Sequence, residues 1–348
     1  MTLFREFRCG RSARSGACQG GFTLVELMIA LVLGLLVVAG VGSVFIANKD
    51  AYRTNEALSQ VQDASRTAFE FLARDVREAG SNACGTVRVE SVLESGGDEL
   101  LYDLTPLEGW DDASDVDDLP ASGNGQPVAG ESALRLSGTR DAGIRLEAQS
   151  SPRANIRLAN DALGRIANGD VLMMCDSNKA TIFQVINFNG TNPVVVNQGS
   201  GETPGNRTKC LDHPVPQSPP DCTNFSASAY LVVPTNYIWY VGTNADGVRG
   251  LYRYGRAEEA TSSPTEMVRG VEGMQIVYHR RDQNAFETAT QVDAVANGWE
   301  QVDAVRITLT VRSRGLNPND PNFGTSTDRE RLLRDFSTTI AIRNRLDG

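Results

Sequence analysis

The sequence is poor in the residues from which catalytic and metal sites are built. Its 348 residues include two histidines, His213 and His279, which are far apart, and six cysteines with no C-x-x-C pair among them. Zinc, the rival to disulfide pairing for these cysteines, therefore lacks its usual ligand spacing. The phosphate-binding G-x-x-x-x-G-K-[ST], the zinc-peptidase H-E-x-x-H and the nucleophile-bearing G-x-S-x-G are all missing. Neither histidine lies near a plausible nucleophile in sequence. The expectation is a protein that is not an enzyme and that carries no cofactor.

Basic charge is also scarce. The chain has 33 Lys and Arg against 43 Asp and Glu. Four of the basic residues and one acidic residue fall within residues 1–21, so residues 22–348 carry a net charge of about −13. Nucleic-acid binding requires clustered cations to neutralise phosphates, and this balance argues against it. The charge reads instead as the solubility charge of an exported surface.

Proline is absent from Phe22 to Ala79, and through Phe22–Ile46 charge is nearly absent too, with Glu26 the only ionisable residue. That apolar run of 25 residues exceeds the roughly 20 needed to cross a bilayer as a helix. A removable secretory signal would have a shorter core and small residues after it, whereas Gly20 and Gly21 stand before the run. Arg5, Arg8, Arg11 and Arg14 against Glu6 give the preceding segment a net charge of +3, which keeps it cytoplasmic and predicts export of the chain beyond about Ala47. A lone carboxylate in hydrocarbon costs roughly 2.5 kcal/mol or more unless it finds a partner, so Glu26 reads as a group awaiting a cation from another molecule.

The apolar pattern continues beyond the membrane-length stretch. Leu58, Val61, Ala68, Phe69, Leu72 and Val76 recur at helical spacing among charged residues, and Gly80 is the predicted C-terminal cap. One helix of about 58 residues, roughly 87 Å, is predicted, apolar all round in its first half and amphipathic in its second. After Gly80 the period changes to two. Strands are expected at 86–92, 133–137, 144–147, 171–175, 181–188, 237–241, 251–254, 274–278, 304–311 and 337–342, with Asn244-Ala-Asp-Gly247 as a hairpin turn. The sum is an α+β fold, a long helix packed on an antiparallel sheet. Residues 103–130 and 198–228 read as long surface loops.

In the exported part, Cys84, Cys175, Cys210 and Cys222 are disulfide candidates with three pairings open. Cys210 and Cys222 bracket an 11-residue proline-rich stretch, which favours that pair and leaves Cys84 with Cys175. Cys9 and Cys18 lie in residues 1–21. The acidic cluster Asp111, Asp112, Asp115, Asp117 and Asp118 departs from the calcium-loop pattern D-x-[DN]-x-[DN]-G, so a solvated loop is expected, with calcium as the alternative. Tyr237, Trp239, Tyr240, Tyr252 and Tyr254 are expected to form core and cross-strand pairs of a hairpin rather than a ligand platform.

Gly21-Phe-Thr-Leu-Val-Glu26, with its apolar helix, resembles the prepilin-type processing site of type IV pilins and type II secretion pseudopilins. Blocks further along are similar to the PilW family of minor pilins. They are Ala79-Gly80 with Cys84, Gly169 to Asp176, Ala180 to Val185, Leu251 to Arg253, Val268 to Tyr278, Val302 to Leu309 and Ile342 to Asn344. The resemblance implies cleavage between Gly21 and Phe22 by a prepilin peptidase, methylation of the new Phe22 amine, and pairing of Glu26 with a neighbouring subunit's N-terminus. Many major pilins kink this helix with a proline where Ser43 stands here.

The resemblance also implies a division into a leader (1–21), a membrane and filament-core half-helix (22–47), an amphipathic half-helix (48–80) and an exported β-rich domain (81–348). The implied role is a minor pilin at the tip or initiating complex of a type IV pilus, promoting assembly. A J-type secretion pseudopilin and a tip adhesin are the alternatives. The implied partners are other minor pilins and the major pilin, the prepilin peptidase, the assembly platform and the inner membrane. The implied location is the inner membrane, single-pass with a cytoplasmic N-terminus and a periplasmic domain, and then the surface pilus.

Overall fold

The computed structural model describes residues 23–81, 83–84, 89–94, 105–149, 151, 156–158, 166–189, 194–197, 205–211, 222–256, 263–281, 283–313 and 332–343. The chain divides into two compact units, Met1–Asn55 and Glu56–Gly348. A single helix, α1 (Leu24–Glu78), accounts for nearly all of the proline-free stretch. It stops where expected. Gly80 adopts a left-handed φ of 69°, which a side chain would disfavour, and its N–H donates to the Ser137 carbonyl at 2.7 Å.

In the Glu56–Gly348 unit the chain then runs through β1 (Val89–Ser91), β2 (Leu107–Trp110), β3 (Gln126–Pro127), β4 (Ala133–Gln149), β5 (Ile156–Leu158), β6 (Val171–Cys175), β7 (Ala180–Gln184), β8 (Ile186–Asn189) and β9 (Val194–Asn197). It continues through β10 (Tyr230–Thr243), β11 (Arg249–Arg256), β12 (Thr265–Arg269), β13 (Val271–Arg280), β14 (Phe286–Glu287), the short helices α2 (Ala289–Asp293) and α3 (Gly298–Gln301), β15 (Val302–Arg312) and β16 (Leu333–Ala341). The fold is α+β.

The described residues form two sheets rather than one. The larger has twelve strands along the path β1-β7-β6-β10-β4-β5-β9-β8, with β2, β3, β11 and β12 attached to its sides. The smaller is β14-β13-β15-β16. Pairing is antiparallel except at one edge, where β1 runs parallel to β7.

Two expected strands, at 133–137 and 144–147, are parts of one. β4 continues through Gly138, and past a bulge at residues 142–143, because the long β10 pairs with it on both sides of the bulge, from Trp239 opposite Leu134 to Tyr230 opposite Arg145. The expected 103–130 surface loop is corrected as well. It contains β2, a 3-10 turn at Ala113–Asp115 and β3, and it buries Leu107, Ala113, Val116 and Leu119. Pairing of Leu107 with Leu136 overrides the weak strand propensity of Leu-Glu-Gly-Trp. Much of the expected 198–228 loop lies outside the described residues.

The amphipathic half of α1 finds its cover. Val61, Ala68, Leu72 and Val76 are fully buried in one core with Leu134 and Leu136 of β4, Trp239 of β10 and Ile307 of β15. Burying a Leu- or Val-sized side chain contributes about 1.5–3 kcal/mol, so this stripe is what fixes residues 56–78 to the strands.

Candidate functional site

At its N-terminal end α1 is started by Thr23. The Thr23 hydroxyl accepts a hydrogen bond from the Glu26 N–H at 3.3 Å, and its carbonyl accepts from Leu27 N–H at 3.2 Å. Thr23 is thus the N-cap and Glu26 the third helical residue, the spacing of a T-x-x-E helix start. The Glu26 side chain sits in the first turn, where the unsatisfied N–H groups favour a negative charge. Gly21 and Phe22 lie outside the described residues.

From Leu24 to Ile46 the apolar side chains point outward on every side. Leu24 is 75% exposed and Val38 69%, and the least exposed of the large ones, Ile29, is 55%. This helix is long and apolar enough to cross a membrane. Gly34, Gly40 and Gly42 have open space around them. A surface of this kind is unstable in water, and lipid or other apolar helices are what can cover it.

In the Glu56–Gly348 unit the helix is held by polar contacts as well as by its apolar stripe. Trp239 Nε1 donates to Asp75 at 3.0 Å, and Arg253 of β11 approaches the same carboxylate at 3.7 Å. The Arg253 guanidinium lies over the Tyr237 ring at 4.4 Å. Trp239, Tyr240 and Tyr252 are fully buried, and Tyr240 stacks obliquely on Tyr252, its cross-strand partner, at 5.9 Å. The aromatic hairpin is core. Nothing in the sequence pattern pointed to Asp75 as the helix residue that meets it.

The four cysteines form two disulfides, Cys84–Cys175 and Cys210–Cys222, with Cα separations of 5.4 and 5.8 Å. The first ties the segment after α1 to the end of β6. The second closes a stretch of which residues 212–221 lie outside the described residues.

The acidic cluster is dispersed. Asp111 caps α2, accepting from Ala289 N–H at 2.9 Å, Thr290 N–H at 3.0 Å and Thr290 Oγ1 at 2.6 Å. Burial pushes the Asp111 carboxyl up, but these hydrogen bonds outweigh it and hold the group below the usual carboxylate range. Asp112 caps the 3-10 turn through Ser114, whose hydroxyl and N–H keep it low in the same way. Asp115 and Asp117 face solvent, and Asp118 is half-buried. Among the described residues no group of three or more His, Cys, Asp or Glu is arranged to hold a metal ion.

Two family models match the chain. Residues 16–42 match the prokaryotic N-terminal methylation motif, which spans the capped start of α1 and most of its exposed apolar part. Residues 238–344 match the model described as type IV pilus-assembly protein W, which runs from the aromatic hairpin through the four-stranded sheet. The chain is similar to PilW-type pilins and carries a prepilin-type motif. No curated protein matches it, and no solved structure does.

The PilW match includes Trp239, Arg253, Met274 and Ile307, the side of the Glu56–Gly348 unit that covers the amphipathic part of α1. The matched residues therefore include part of the surface that grips the helix, which Leu134 and Leu136 of β4 complete. The segments that carry both disulfides precede the matched residues in the chain.

Proposed function

We propose that this chain is a minor subunit of a type IV pilus that is built into the tip or initiating complex and promotes assembly. The observation that carries this is the pairing of an all-round exposed apolar helix with a single carboxylate in its first turn. Such a helix is stored in the inner membrane, single-pass, and moves into a helical filament where like surfaces cover it.

In this reading the leader is removed between Gly21 and Phe22 by a prepilin peptidase, the Phe22 amine is methylated, and the β-rich domain is exported. Glu26 meets the N-terminal amine of a neighbouring subunit. A buried ion pair costs less than either charge left alone, so misregistered subunits are penalised and the pairing sets the axial stagger. The partners are other minor pilins and the major pilin through their helices, with the assembly platform and peptidase as transient contacts. The role is structural rather than enzymatic. The PilW match supports a pilus over a secretion pseudopilus.

N-terminal sequencing of the mature protein tests the reading. Methylated phenylalanine at position 22 is expected, and Gly21→Ala should leave a full-length precursor in the membrane. A mature chain from the native host that still begins at Met1 contradicts it.

A further inference from the structure

Where α1 ends, the chain does not simply turn into the sheet. It crosses three adjacent strands and is tied to each one. Gly80 N–H donates to Ser137 of β4 at 2.7 Å, and Thr139 of β4 both donates to the Ser81 carbonyl at 2.9 Å and accepts from Ala83 N–H at 2.6 Å. The Tyr230 hydroxyl of β10 then donates to the Ala83 carbonyl at 2.5 Å. Cys84 is bonded to Cys175 of β6. In the sheet β6, β10 and β4 are neighbours in that order, and Cys175 is the register partner of Tyr230. The last two ties therefore land side by side on one cross-strand pair.

We propose that residues 80–84 are a tension strap, which passes an axial pull on α1 into the β4–β10–β6 strands and ends in a covalent stop. Without the disulfide, a pull on the helix would peel α1 from its groove, undo the strap contact by contact and continue along the chain. With it, peeling halts at Cys84. The load then falls on β6, which is paired on both sides, with Tyr230–Val232 of β10 and with Ala180–Gln184 of β7. The intervening loop, a sequence separation of 91 residues, carries no tension. That loop contains β4, so the strand on which the core rests is shielded. The inference depends on the proposed role, because a filament subunit is what would be pulled along this helix.

The test is single-molecule pulling on the full chain in detergent micelles, with handles at the N-terminus and at the exposed residues 245–247 of the hairpin turn. In the oxidised protein the first rupture should free chain only as far as Cys84. In the Cys84→Ser/Cys175→Ser variant, or in wild type held in reductant, the same event should run on and free roughly 300 Å more chain. Thr139→Val keeps the disulfide, so the released length should be unchanged while the lifetime under constant load falls about thirty-fold, the effect of roughly two lost hydrogen bonds.

First-rupture lengths that are the same with and without the disulfide, in protein that still unfolds cooperatively on heating, would overturn the strap. Because pulling needs no pilus, that result is distinguishable from failure of the functional reading, which is seen as an unprocessed N-terminus.

Discussion

The hydroxyl of Thr290 donates to the Asp111 carboxylate at 2.6 Å, joining residues 179 apart in sequence. Asp111 comes directly after β2 and Thr290 lies in the first turn of α2, so the contact fastens the connection after β2 to the turn of chain between β14 and β15. An aspartate that looked like part of a solvated cluster is a helix cap.

Asp111→Ala should lower stability at pH 7 by about 1 kcal/mol, the typical worth of a cap, with solvent exposure tempering any larger charge-assisted gain. The pH dependence comes from the depressed carboxyl. A group whose folded-state pKa lies below its unfolded value of about 3.9 stabilises above that pH, and the gain is lost as pH falls through the folded value. Urea titrations at pH 7 and near pH 2.5 should therefore show wild type and variant apart at the first and converging at the second. A gap that persists in acid would mean that the carboxylate's charge plays no part.

Gly109 and Tyr278 make a second testable pair. Tyr278 is fully buried, its ring packs edge-on against Trp299 at 5.0 Å, and its hydroxyl has no hydrogen-bond partner among the described residues. A side chain at Gly109 would run into that hydroxyl. Gly109→Ala should cost about 1–3 kcal/mol by overpacking. Tyr278→Phe alone should be close to neutral, because it removes a hydroxyl buried without a partner. The double variant should recover part of the loss. Strict additivity in thermal denaturation would show that the two positions do not meet.

The long helix, its cap at Gly80 and the 244–247 hairpin were legible because each rests on a local signal: an unbroken apolar period, a glycine at the end of it, and a turn sequence between aromatic runs. β6 was legible to the residue. What escaped depends on partners distant in sequence. β10 runs from Tyr230, well before the expected start at Tyr237, passing through Pro234 and Asn236, which read locally as a break. β4 pairs with both, Thr139 opposite Pro234 and Ser137 opposite Asn236, and overrides the break, with a register shift at Leu231/Val232. β5 and β12 are short, and pairing with β4 and β11 holds them in place. α2 was not expected; its capping box, Thr288 with Gln291, is a local signal weaker than the strand patterns around it. At the candidate site, Glu26 stood out as the lone charge in an apolar run. Asp75 and Thr139 looked like any other polar residue, since what matters about them is which strand they reach.

The two disulfides should differ in worth. Loop-closure entropy grows with the length of chain enclosed, so the bond of sequence separation 91 should contribute about 4.5 kcal/mol and that of separation 12 about 3 kcal/mol. Unfolding of Cys84→Ser/Cys175→Ser against Cys210→Ser/Cys222→Ser in urea measures this. The first variant should have the lower midpoint. The reverse order would mean that the unfolded chain retains structure around the longer loop.

In the membrane the Glu26 carboxylate stands without a partner of opposite charge, since from Leu24 to Asn48 the sequence has no other ionisable side chain. In a filament a neighbour's N-terminal amine would supply one. Glu26→Ala and Glu26→Gln should both insert normally, because removing a charge makes a membrane helix cheaper to insert. Both should lose co-purification with the pilins proposed as its partners and fail to support piliation. Gln keeps the length and hydrogen-bonding capacity of Glu, so its failure would isolate charge as the requirement. The Thr23 cap is untouched in either variant, because it accepts from the backbone N–H of residue 26 and not from its side chain. Membrane fractionation, affinity capture and surface pilus counts together read the outcome. Full piliation by Glu26→Gln would show that the stagger of subunits is set by shape rather than by an ion pair, and the assembly role given to this residue would have to be withdrawn.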